Sequence, residues 1–318
     1  MALRDQVGFV EAFASPKLGR NDRLDRVAAE VKWYRFEKLL RRLEPDGAGR
    51  PPYDLLIMFK ALLLQQWYAL SDAALEEALN DRVSFRRFLG LSLEADAPDH
   101  TTLCRFRNRL IAAGLADKLF AEFDRQIEGR GLMLKHGTMV DATLVEAAGA
   151  RPPRGSEDEA SDPDARFAKR EGKPGSSYGY KAHVGVDRGT RLIRTAILTP
   201  ANVNETEVAD ALIRGDEQAV YGDKAYDTQA RRARLRAAGI KDRILHRRNK
   251  HQRALPPWQA RRNALIAPIR ASVETIFAVL KRRMAYRSVR YVGLAKNQAH
   301  LFLLALAYNM RRVAALAT

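Results

Sequence analysis

Along the first part of the chain, apolar residues recur every three or four positions, which is the spacing of one face of an α-helix. The pattern runs from Asp22 to about Glu128, and short polar segments such as residues 44–52 interrupt it. Few stretches in this part show the alternation that is typical of strands. The pattern therefore predicts an α-helical N-terminal domain over residues 1–128.

The periodicity changes after Gly131, where β-branched residues begin to alternate with other side chains. The strands predicted from this alternation are TMVDATLV (138–145), YGYKAHVGVD (178–187) and TRLIRTAIL (190–198). Between the first two lies a segment rich in Pro, Gly, Ser and charge that has almost nothing to bury. We therefore expect a flexible loop at about residues 150–177.

Helices and strands alternate in the rest of the chain. The predicted elements are a helix from Glu205, a strand at 218–222, a basic helix at 228–238, a strand near 243–245 and two long helices, roughly 257–283 and 295–315. Three strands followed by alternating helix and strand is the order of a ribonuclease-H-like α/β domain, a mixed sheet flanked by helices. Other mixed sheets share this order. We expect residues 129–318 to form such a domain.

The composition indicates a folded and strongly basic protein. The chain has 55 Lys and Arg against 38 Asp and Glu, a formal charge of +17, and 46% of its residues are hydrophobic. A polyanion is therefore the expected partner, and nucleic acid is favoured over the membrane surfaces that also attract basic proteins.

The single cysteine, Cys104, excludes an internal disulfide and a multi-cysteine zinc site, and it is typical of a reducing compartment. Residues 1–13 mix charges with apolar side chains and lack the apolar core of a signal peptide. The longest apolar stretch, Leu301 to Tyr308, is far shorter than the roughly 20 residues that cross a bilayer. We expect a cytoplasmic protein with no membrane partner.

Three acidic residues stand where an α/β domain could use them for catalysis. Asp141 lies within an apolar strand, where a charge is costly unless it faces a polar cleft or a cation. Asp223 follows the strand AVYG, at the carboxyl end where open sheets place their sites, and Glu274 lies within a long helix. Converging carboxylates repel one another unless cations neutralise them, and their hard oxygens suit Mg²⁺ or Mn²⁺. Each acid also has an ordinary interpretation: a strand edge, a turn cap or a solvated helix residue.

The helix that contains Glu274 has an informative pattern. At about 100° per residue, one apolar arc about 100° wide must face the core. Arg270, Glu274 and Lys281 fall within about 40° of one another at the edge of that arc. Charges at the edge of a buried face indicate a cleft. The arc consists of Ile269, Val273, Ile276, Phe277 and Leu280.

The string RASVETIFAVLK (270–281) carries Arg, three residues, Glu, six residues and Lys, and it resembles the C-terminal signature of the insertion sequence 4 and 5 group of bacterial DDE transposases. Ala267 stands where that signature has a Tyr. The length of the chain, the short spacing from Asp223 to Glu274 and the N-terminal domain resemble the insertion sequence 5 branch. Four further strings resemble the same group in the same order: MVDATLVEA, YGYKAHVGVD, TPANVNET (199–206) and YGDKAYDT.

The resemblance implies a ribonuclease-H-like catalytic domain in which Asp141, Asp223 and Glu274 are the catalytic residues and hold two Mg²⁺ ions, for which Mn²⁺ can substitute. It implies cleavage of DNA at the ends of an insertion sequence and strand transfer into target DNA. A homodimer is expected, because two ends must be brought together. Arg270 and Lys281 would contact phosphate, although salt bridges to neighbouring acids are the alternative.

Two regions are candidates for DNA binding. Residues 231–262 contain twelve Lys or Arg and a single acid, and this segment is a candidate track for the DNA backbone or else a solvated loop. Its candidate contact residues are Arg247, Arg248 and Lys250.

The other region lies in the N-terminal domain, where the segments 71–79 and 97–110 resemble a helix-turn-helix. The second of these helices would offer Arg105, Asn108 and Arg109 to a groove. The alternative is a helical bundle in which these polar residues are only solvated and the core is Leu103, Phe106 and Leu110.

Two other functions fit much of the same pattern. A DNA-binding regulator derived from a transposase would need no catalysis, and the three acids argue against it. A stand-alone nuclease would need the same metals and would cut without joining.

Overall fold

The computed structural model describes residue 15 and residues 17–44, 53–153, 155, 160–169, 175–248 and 253–317. The chain divides into two compact units: unit 1 is Met1–Gly129 with Phe302–Thr318, and unit 2 is Arg130–Leu301. The sequence pattern predicts one boundary near residue 128, whereas the structure assigns the C-terminal segment to the first unit. The reason is that the last helix continues past Leu301 and its final turns pack in unit 1.

Unit 1 is helical. Its helices are α1 (Asp22–Glu30), α2 (Trp33–Leu40), α3 (Leu55–Tyr68), α4 (Asp72–Asp81), α5 (Val83–Leu89), α6 (His100–Ala112) and α7 (Ala116–Glu128). Four of these helices begin at a side chain that accepts a hydrogen bond from a backbone N–H of the first turn. These N-caps are Asn21, Asp54, Ser71 and Asp99.

Helix α3 is the centre of unit 1. All of its residues from Leu56 to Trp67 are buried, because other helices pack around it on several sides. Its buried polar groups have partners: Lys60 Nζ donates to the carbonyl of Phe88 at 3.1 Å, and Trp67 Nε1 donates to the carbonyl of Ala307 at 2.7 Å. A helix that is hydrophobic on every side is typical of the interior of a helical domain.

The predicted helix-turn-helix is not formed by consecutive helices. Helix α5 and a further segment lie between α4 and α6, so the tight turn of that motif is absent from this described part of unit 1. The two helices nevertheless pack together, and Arg107 makes a two-pronged ion pair with Asp72 at 2.6 and 2.8 Å. Arg105, Asn108 and Arg109 are exposed on α6. The buried residues on α6 include Leu103, Phe106 and Leu110.

Unit 2 contains a mixed six-stranded sheet. Its strands are β1 (Thr138–Glu146), β2 (Arg166–Lys169), β3 (Ser176–Asp187), β4 (Ile193–Pro200), β5 (Ala219–Gly222) and β6 (Lys241–Ile244). β3 is antiparallel to β1, β2 and β4, whereas β5 runs parallel to β1 and β6 runs parallel to β5. The strand order β2-β3-β1-β5-β6, with β4 also paired to β3, places β1 and β5 inside the sheet.

The predicted loop at about residues 150–177 needs a correction. β2 lies within it and pairs with the start of β3, and Phe167 contacts Tyr178 with ring centroids 5.0 Å apart. A strand of four residues in a polar segment gives too little alternation to be found by periodicity. Residues 154, 156–159 and 170–174 of the predicted loop lie outside the described residues.

Helices cover the sheet of unit 2. They are α8 (Glu205–Val208), α9 (Gln229–Ala237), α10 (Pro257–Ala271), α11 (Glu274–Arg283) and the start of α12 (Leu294–Leu316). The sequence predicts one helix over 257–283, but the structure breaks it at Ser272–Val273. By length and composition, this interrupted stretch is the single one in the described chain that could cross a membrane. Its central charges, Arg270 and Glu274, form an ion pair within unit 2.

The alternation along β1 and β5 separates a core face from a second face. Val140 and Val220 pack with Leu235 and Ile244 in one buried cluster. Residues one position away along the same strands, including Met139, Asp141 and Tyr221, point to the opposite face. The sheet therefore supports a hydrophobic core on one side and presents Asp141 on the other.

Leu62 is a direct test of the core of unit 1. Its side chain is fully buried in α3, so Leu62→Ala should reduce the free energy of unfolding by about 2–5 kcal/mol. Leu18→Ala is the matched control, because Leu18 in the same unit is 43% exposed. Urea denaturation followed by circular dichroism measures both changes, and equal effects of the two substitutions would contradict this assignment of the core.

Candidate active site

Asp141 and Asp223 occupy matching positions on neighbouring parallel strands. Met139 of β1 is paired with Tyr221 of β5, and each aspartate follows two residues later on its strand. The backbone of Asp223 is still extended, with φ −73° and ψ 168°, so the alternation continues through it. Paired residues on neighbouring strands point to the same face, so the register places both carboxylates on one face of the sheet. The two strands lie about 4.8 Å apart, which brings the carboxylates close together.

Arg270 connects Asp141 with Glu274. One terminal guanidinium nitrogen, Nη2, donates to Asp141 Oδ2 at 2.7 Å, and the other, Nη1, donates to Glu274 Oε1 at 3.1 Å. Arg270 is on α10 and Glu274 begins α11, so the break between the helices lies between the two side chains. Ser272, within that break, donates from Oγ to the carbonyl of Ile269 at 2.7 Å, and the same oxygen lies 3.1 Å from the sulfur of Met139. The break therefore lies against β1.

All three acids act on the same guanidinium. Burial alone would lower the pKa of Arg270, but the charges of Asp141, Asp223 and Glu274 outweigh it and raise that pKa. For Asp141 the balance is reversed: burial raises its pKa to about 6, and Arg270 offsets only part of this effect. Glu274 differs from Asp141, because 64% of its side chain is exposed. The predicted site residues therefore share one electrostatic environment.

An open cavity of about 720 Å³ lies against this group. One wall is β1 from Asp141 to Glu146, and the other includes Arg270, Glu274 and Lys281. Lys281 Nζ donates to the carbonyl of Leu144 at 2.8 Å, so this lysine bridges α11 and β1. The acids of the lining are Asp141, Glu146 and Glu274. Its cations, which suit a polyanion, are Arg270, Lys281, Arg282 and Arg287.

The donor set has the chemistry of a site for hard divalent cations. Asp141, Asp223 and Glu274 offer carboxylate oxygens, which Mg²⁺ and Mn²⁺ prefer. In the present arrangement no three His, Cys, Asp or Glu side chains of the described chain are close enough to hold a metal ion. The guanidinium of Arg270 supplies the positive charge between Asp141 and Glu274 instead. The exposed side chain of Glu274 can turn from Arg270 towards a cation without disturbing the core.

Two neighbours of the site were not identified from the sequence. Tyr226 is fully buried, and its hydroxyl has no hydrogen-bond partner among the described residues. Burial and the charges of Glu205, Asp141 and Asp223 all raise the pKa of Tyr226, which places its ring beside these acids. Glu205 also raises the pKa of Asp141 and lies 3.7 Å from Lys181. Glu205 lies in the string TPANVNET, and Tyr226 lies in YGDKAYDT. These two strings were the signal in the sequence that could have pointed to both residues.

His183 lies on the other face of the sheet. It is paired with Ala142 on β1, and so its side chain points away from the face of Asp141. Its Nε2 atom is 2.9 Å from Thr199 Oγ1, and burial lowers the pKa of His183 to about 3. The neutral, buried ring is a structural part of β3.

The basic segment 231–262 is not one continuous track. Arg231 pairs with Asp210, and Arg232 and Arg262 both pair with Asp242, so these three arginines stabilise the fold. A count of charges along the sequence could not separate them from exposed residues. Arg247 and Arg248 are exposed after β6, and Lys250 lies outside the described residues.

Two family models match the chain. One, described as the transposase DDE domain, matches residues 134–310, and one described as a transposase domain (DUF772) matches residues 13–109. Among solved structures, "Crystal structure of the Mos1 Strand Transfer Complex" is 12% identical, with a TM-score of 0.21, over 81% of this chain and 85% of that chain. At that TM-score the similarity carries no argument about this chain.

The raised pKa of Asp141 predicts a pH-dependent effect of Asp141→Asn. An aspartate has a pKa of about 3.9 in an unfolded chain, so the folded protein binds this proton more tightly. The contribution of Asp141 to stability is therefore most favourable below about pH 4 and is lost as the pH rises through about 6. The asparagine has no such loss.

Without metal ions, Asp141→Asn should therefore gain stability relative to the wild type between about pH 4.5 and about pH 7.5, by at most about 3 kcal/mol. Melting temperatures measured in the presence of EDTA at both pH values test this. Glu207→Gln, at an exposed position of unit 2, controls for the loss of one negative charge. A difference between Asp141→Asn and wild type that does not change with pH would show that the Asp141 carboxyl is not perturbed by burial.

Proposed function

Because this chain belongs to the family of the transposase DDE domain, we propose that it is a DNA transposase that cuts the ends of its own insertion sequence and joins them to target DNA. The observation that carries the proposal is the arrangement of Asp141 and Asp223 in register on parallel strands, with Glu274 held to the same Arg270. The five strings support assignment to the insertion sequence 4 and 5 group. The length of the chain, the short spacing from Asp223 to Glu274 and the N-terminal domain support the insertion sequence 5 branch.

The proposal includes a ribonuclease-H-like fold for the catalytic domain. Its support is the strand arrangement: β1, β3 and β4 form an antiparallel series, and β5 and β6 continue the sheet in parallel on the other side of β1. In such a mixed sheet, β1 and β5 are neighbours, which is what brings the two aspartates together.

In this proposal Asp141, Asp223 and Glu274 hold two Mg²⁺ ions, and Mn²⁺ can substitute. When bound, such ions activate a water or a 3′-hydroxyl and stabilise the leaving oxygen of an in-line displacement at phosphorus. Asp141 and Asp223 hold their carboxylates rigidly, because both lie on or directly after strands inside the sheet. Glu274 would be the third residue to hold the metal, and its side chain, 64% exposed, is free to rotate away from Arg270.

Arg270 and Lys281 would then bind the DNA phosphate next to the scissile bond. Both line the cavity that contains Asp141, one on each side of Glu274 along the helices. Arginine can bind a phosphate with two parallel hydrogen bonds, and lysine provides a compact positive charge. In the absence of metal, the salt bridges that Arg270 makes with Asp141 and Glu274 keep its guanidinium beside these acids.

We propose that unit 1 recognises the terminal inverted repeats of the element. Arg105, Asn108 and Arg109 are exposed on α6. Exposed arginine and amide side chains on one helix can contact base edges as well as phosphates. In unit 2, Arg247, Arg248 and the neighbouring Lys250 would add contacts to the backbone.

The reaction also determines the expected partners and place of action. Two ends of the element must be held in one complex, so a homodimer is expected in the synaptic complex. A bacterial insertion sequence lies in the DNA of the cytoplasm, and so the proposal places the protein on the nucleoid.

Removal of any one of the three acids should abolish cleavage. Asp141→Asn, Asp223→Asn and Glu274→Gln each remove one negative ligand, and each should reduce the rate of cutting by at least about a hundredfold. The assay uses labelled DNA that carries the ends of the element, with Mg²⁺ or Mn²⁺. DNA binding measured alongside should survive in each variant.

Glu207→Gln is the matched control, because Glu207 is exposed and does not line the cavity. It should cut as the wild type does. Variants of the three acids that cut at the wild-type rate would show that the catalytic residues lie elsewhere. A wild type that binds the ends and never cuts would favour a DNA-binding regulator.

Joining distinguishes a transposase from a nuclease that only cuts. A pre-cut end with a free 3′-hydroxyl should be covalently transferred into a labelled target duplex by the wild type, and Asp141→Asn should not transfer it. Products are separated on denaturing gels. Cutting by the wild type without any joined product would instead identify a stand-alone nuclease.

A further inference from the structure

A second cavity, of about 560 Å³, lies at the other end of β5 from Asp223. Its walls include Ala219 and Tyr221 of β5 and Lys241 and Arg243 of β6. These residues form two cross-strand pairs, Ala219 with Lys241 and Tyr221 with Arg243. Pairing and alternation place all four on the sheet face that also presents Asp223. Tyr221 precedes Asp223 by two residues, or about 7 Å along a strand, so this cavity lies close to the proposed active site.

The cavity is positively charged. Arg188, Lys241 and Arg243 line it, His136 adds a ring nitrogen donor, and no acidic residue is part of its lining. The side chains of Lys241 and Arg243 are exposed and form no ion pair with any residue that the structure describes. In contrast, Arg231, Arg232 and Arg262 of the same basic segment are neutralised by aspartates. Unneutralised cations around a concave surface favour an anionic ligand.

Arg188 is held in position before any ligand binds. Its Nη1 atom donates to the hydroxyl of Tyr221 at 2.7 Å, and its guanidinium lies over the Tyr221 ring, 5.2 Å from the centroid. Gly137 leaves room for that ring, because a Cβ atom at position 137 would lie 2.7 Å from Tyr221 Cε2. A guanidinium has five N–H donors in a fixed plane, so one bond to Tyr221 leaves the others for a ligand.

The turn that carries Arg188 is also well fixed. Asp187 accepts hydrogen bonds on Oδ2 from the backbone N–H groups of Gly189 and Thr190, at 3.1 and 2.9 Å, and on Oδ1 from the N–H of Lys135 at 2.9 Å. The backbone N–H of Arg188 donates to the carbonyl of Gly137 at 2.8 Å. A turn with so many bonds presents Arg188 in one orientation, which reduces the entropy lost on binding.

The walls indicate which anion fits. The ring of Tyr221 is only 4% exposed and is covered by Arg188, so it offers no face for a base to stack on. His136 is the other ring in the lining. Apart from His136 and Gln218, the remaining lining residues are small or cationic. A concave site with three cations suits the sugar–phosphate backbone, which proteins contact without reading sequence.

We propose that Arg188, Lys241 and Arg243 form a second phosphate-binding site, which holds the DNA backbone beside the segment that enters the active site. The proposal rests on the proposed function, because it assumes DNA as the substrate. Contact at two places on one sheet face fixes both the position and the direction of the DNA. The first cavity binds the reacting phosphate, and the second binds a phosphate that does not react.

The test measures the salt dependence of DNA binding. Each phosphate contact that is lost should reduce the slope of log affinity against log salt concentration by about 1. The double variant Lys241→Gln with Arg243→Gln should therefore lower that slope by about 2, equally for specific and random duplexes. Fluorescence anisotropy of labelled duplexes, in EDTA and at several salt concentrations, gives these slopes. Arg188→Gln is measured separately, because its loss also removes the bond to Tyr221.

Lys169→Gln is the control, because Lys169 is exposed on β2 of the same unit, does not line the cavity and lies outside the basic segment 231–262. It removes a charge and should leave the slope unchanged. If the double variant keeps the slope of this control while the wild type binds DNA, the second site is overturned and the proposed function stands. If the wild type does not bind DNA at all, the proposed function fails first.

A free nucleotide is the competing ligand for the same cations. A fluorescent ATP analogue should bind the wild type and the double variant equally weakly. Tight binding to the wild type that the double variant loses, with unchanged DNA slopes, would show a nucleotide pocket and would overturn the proposal.

Discussion

The buried charge of Asp141 is the constraint on which the arrangement of unit 2 depends. Only 6% of this residue is exposed, and an unpaired carboxylate at such a position would be strongly destabilising. Arg270 compensates with an ion pair at 2.7 Å, yet burial still raises the pKa of Asp141 to about 6. The helices α10 and α11 must therefore stay where Arg270 reaches β1. Their junction lies against the same strand, where Ser272 Oγ is 3.1 Å from the sulfur of Met139.

The sheet can accommodate the charge of Asp141 because one of its faces is apolar and the other is polar. Val140 and Val220 point into the hydrophobic core. The residues that alternate with them point to the other face, and they are Asp141, Tyr221 and, one residue beyond the end of β5, Asp223. A slip of one residue in the register of β1 would turn Asp141 into the hydrophobic core. The cost of burying that carboxylate without a partner is thus also what specifies the register.

The sequence predicts these parts unequally. Alternation located β1, β3 and β4, and the apolar arc on the helix indicated that Arg270, Glu274 and Lys281 face a cleft. It could not find β2, which is too short, or the break at Ser272–Val273, because helical periodicity continues through it. The partners of individual arginines were also hidden. Arg231 and Arg247 look alike in the sequence, yet one is paired with Asp210 and the other is exposed. Such differences depend on contacts between distant segments, as does the second cavity, whose residues lie on β5, β6 and two separate turns.

Arg270 has a geometry that lysine could not reproduce. Its two terminal nitrogens bond to carboxylates on different elements, one on β1 and one on α11, and only a planar fork offers two donors in fixed directions. The same fork matches two oxygens of a phosphate. In the proposed reaction, Asp141 and Glu274 would hold metal ions, and the fork of Arg270 would then be available to bind DNA. Arg270 would thus stabilise the acids when no metal is bound and bind the DNA phosphate when metal is bound. Because Arg270 and Glu274 lie on either side of the helix break, this exchange needs side-chain rotation and no change in the sheet.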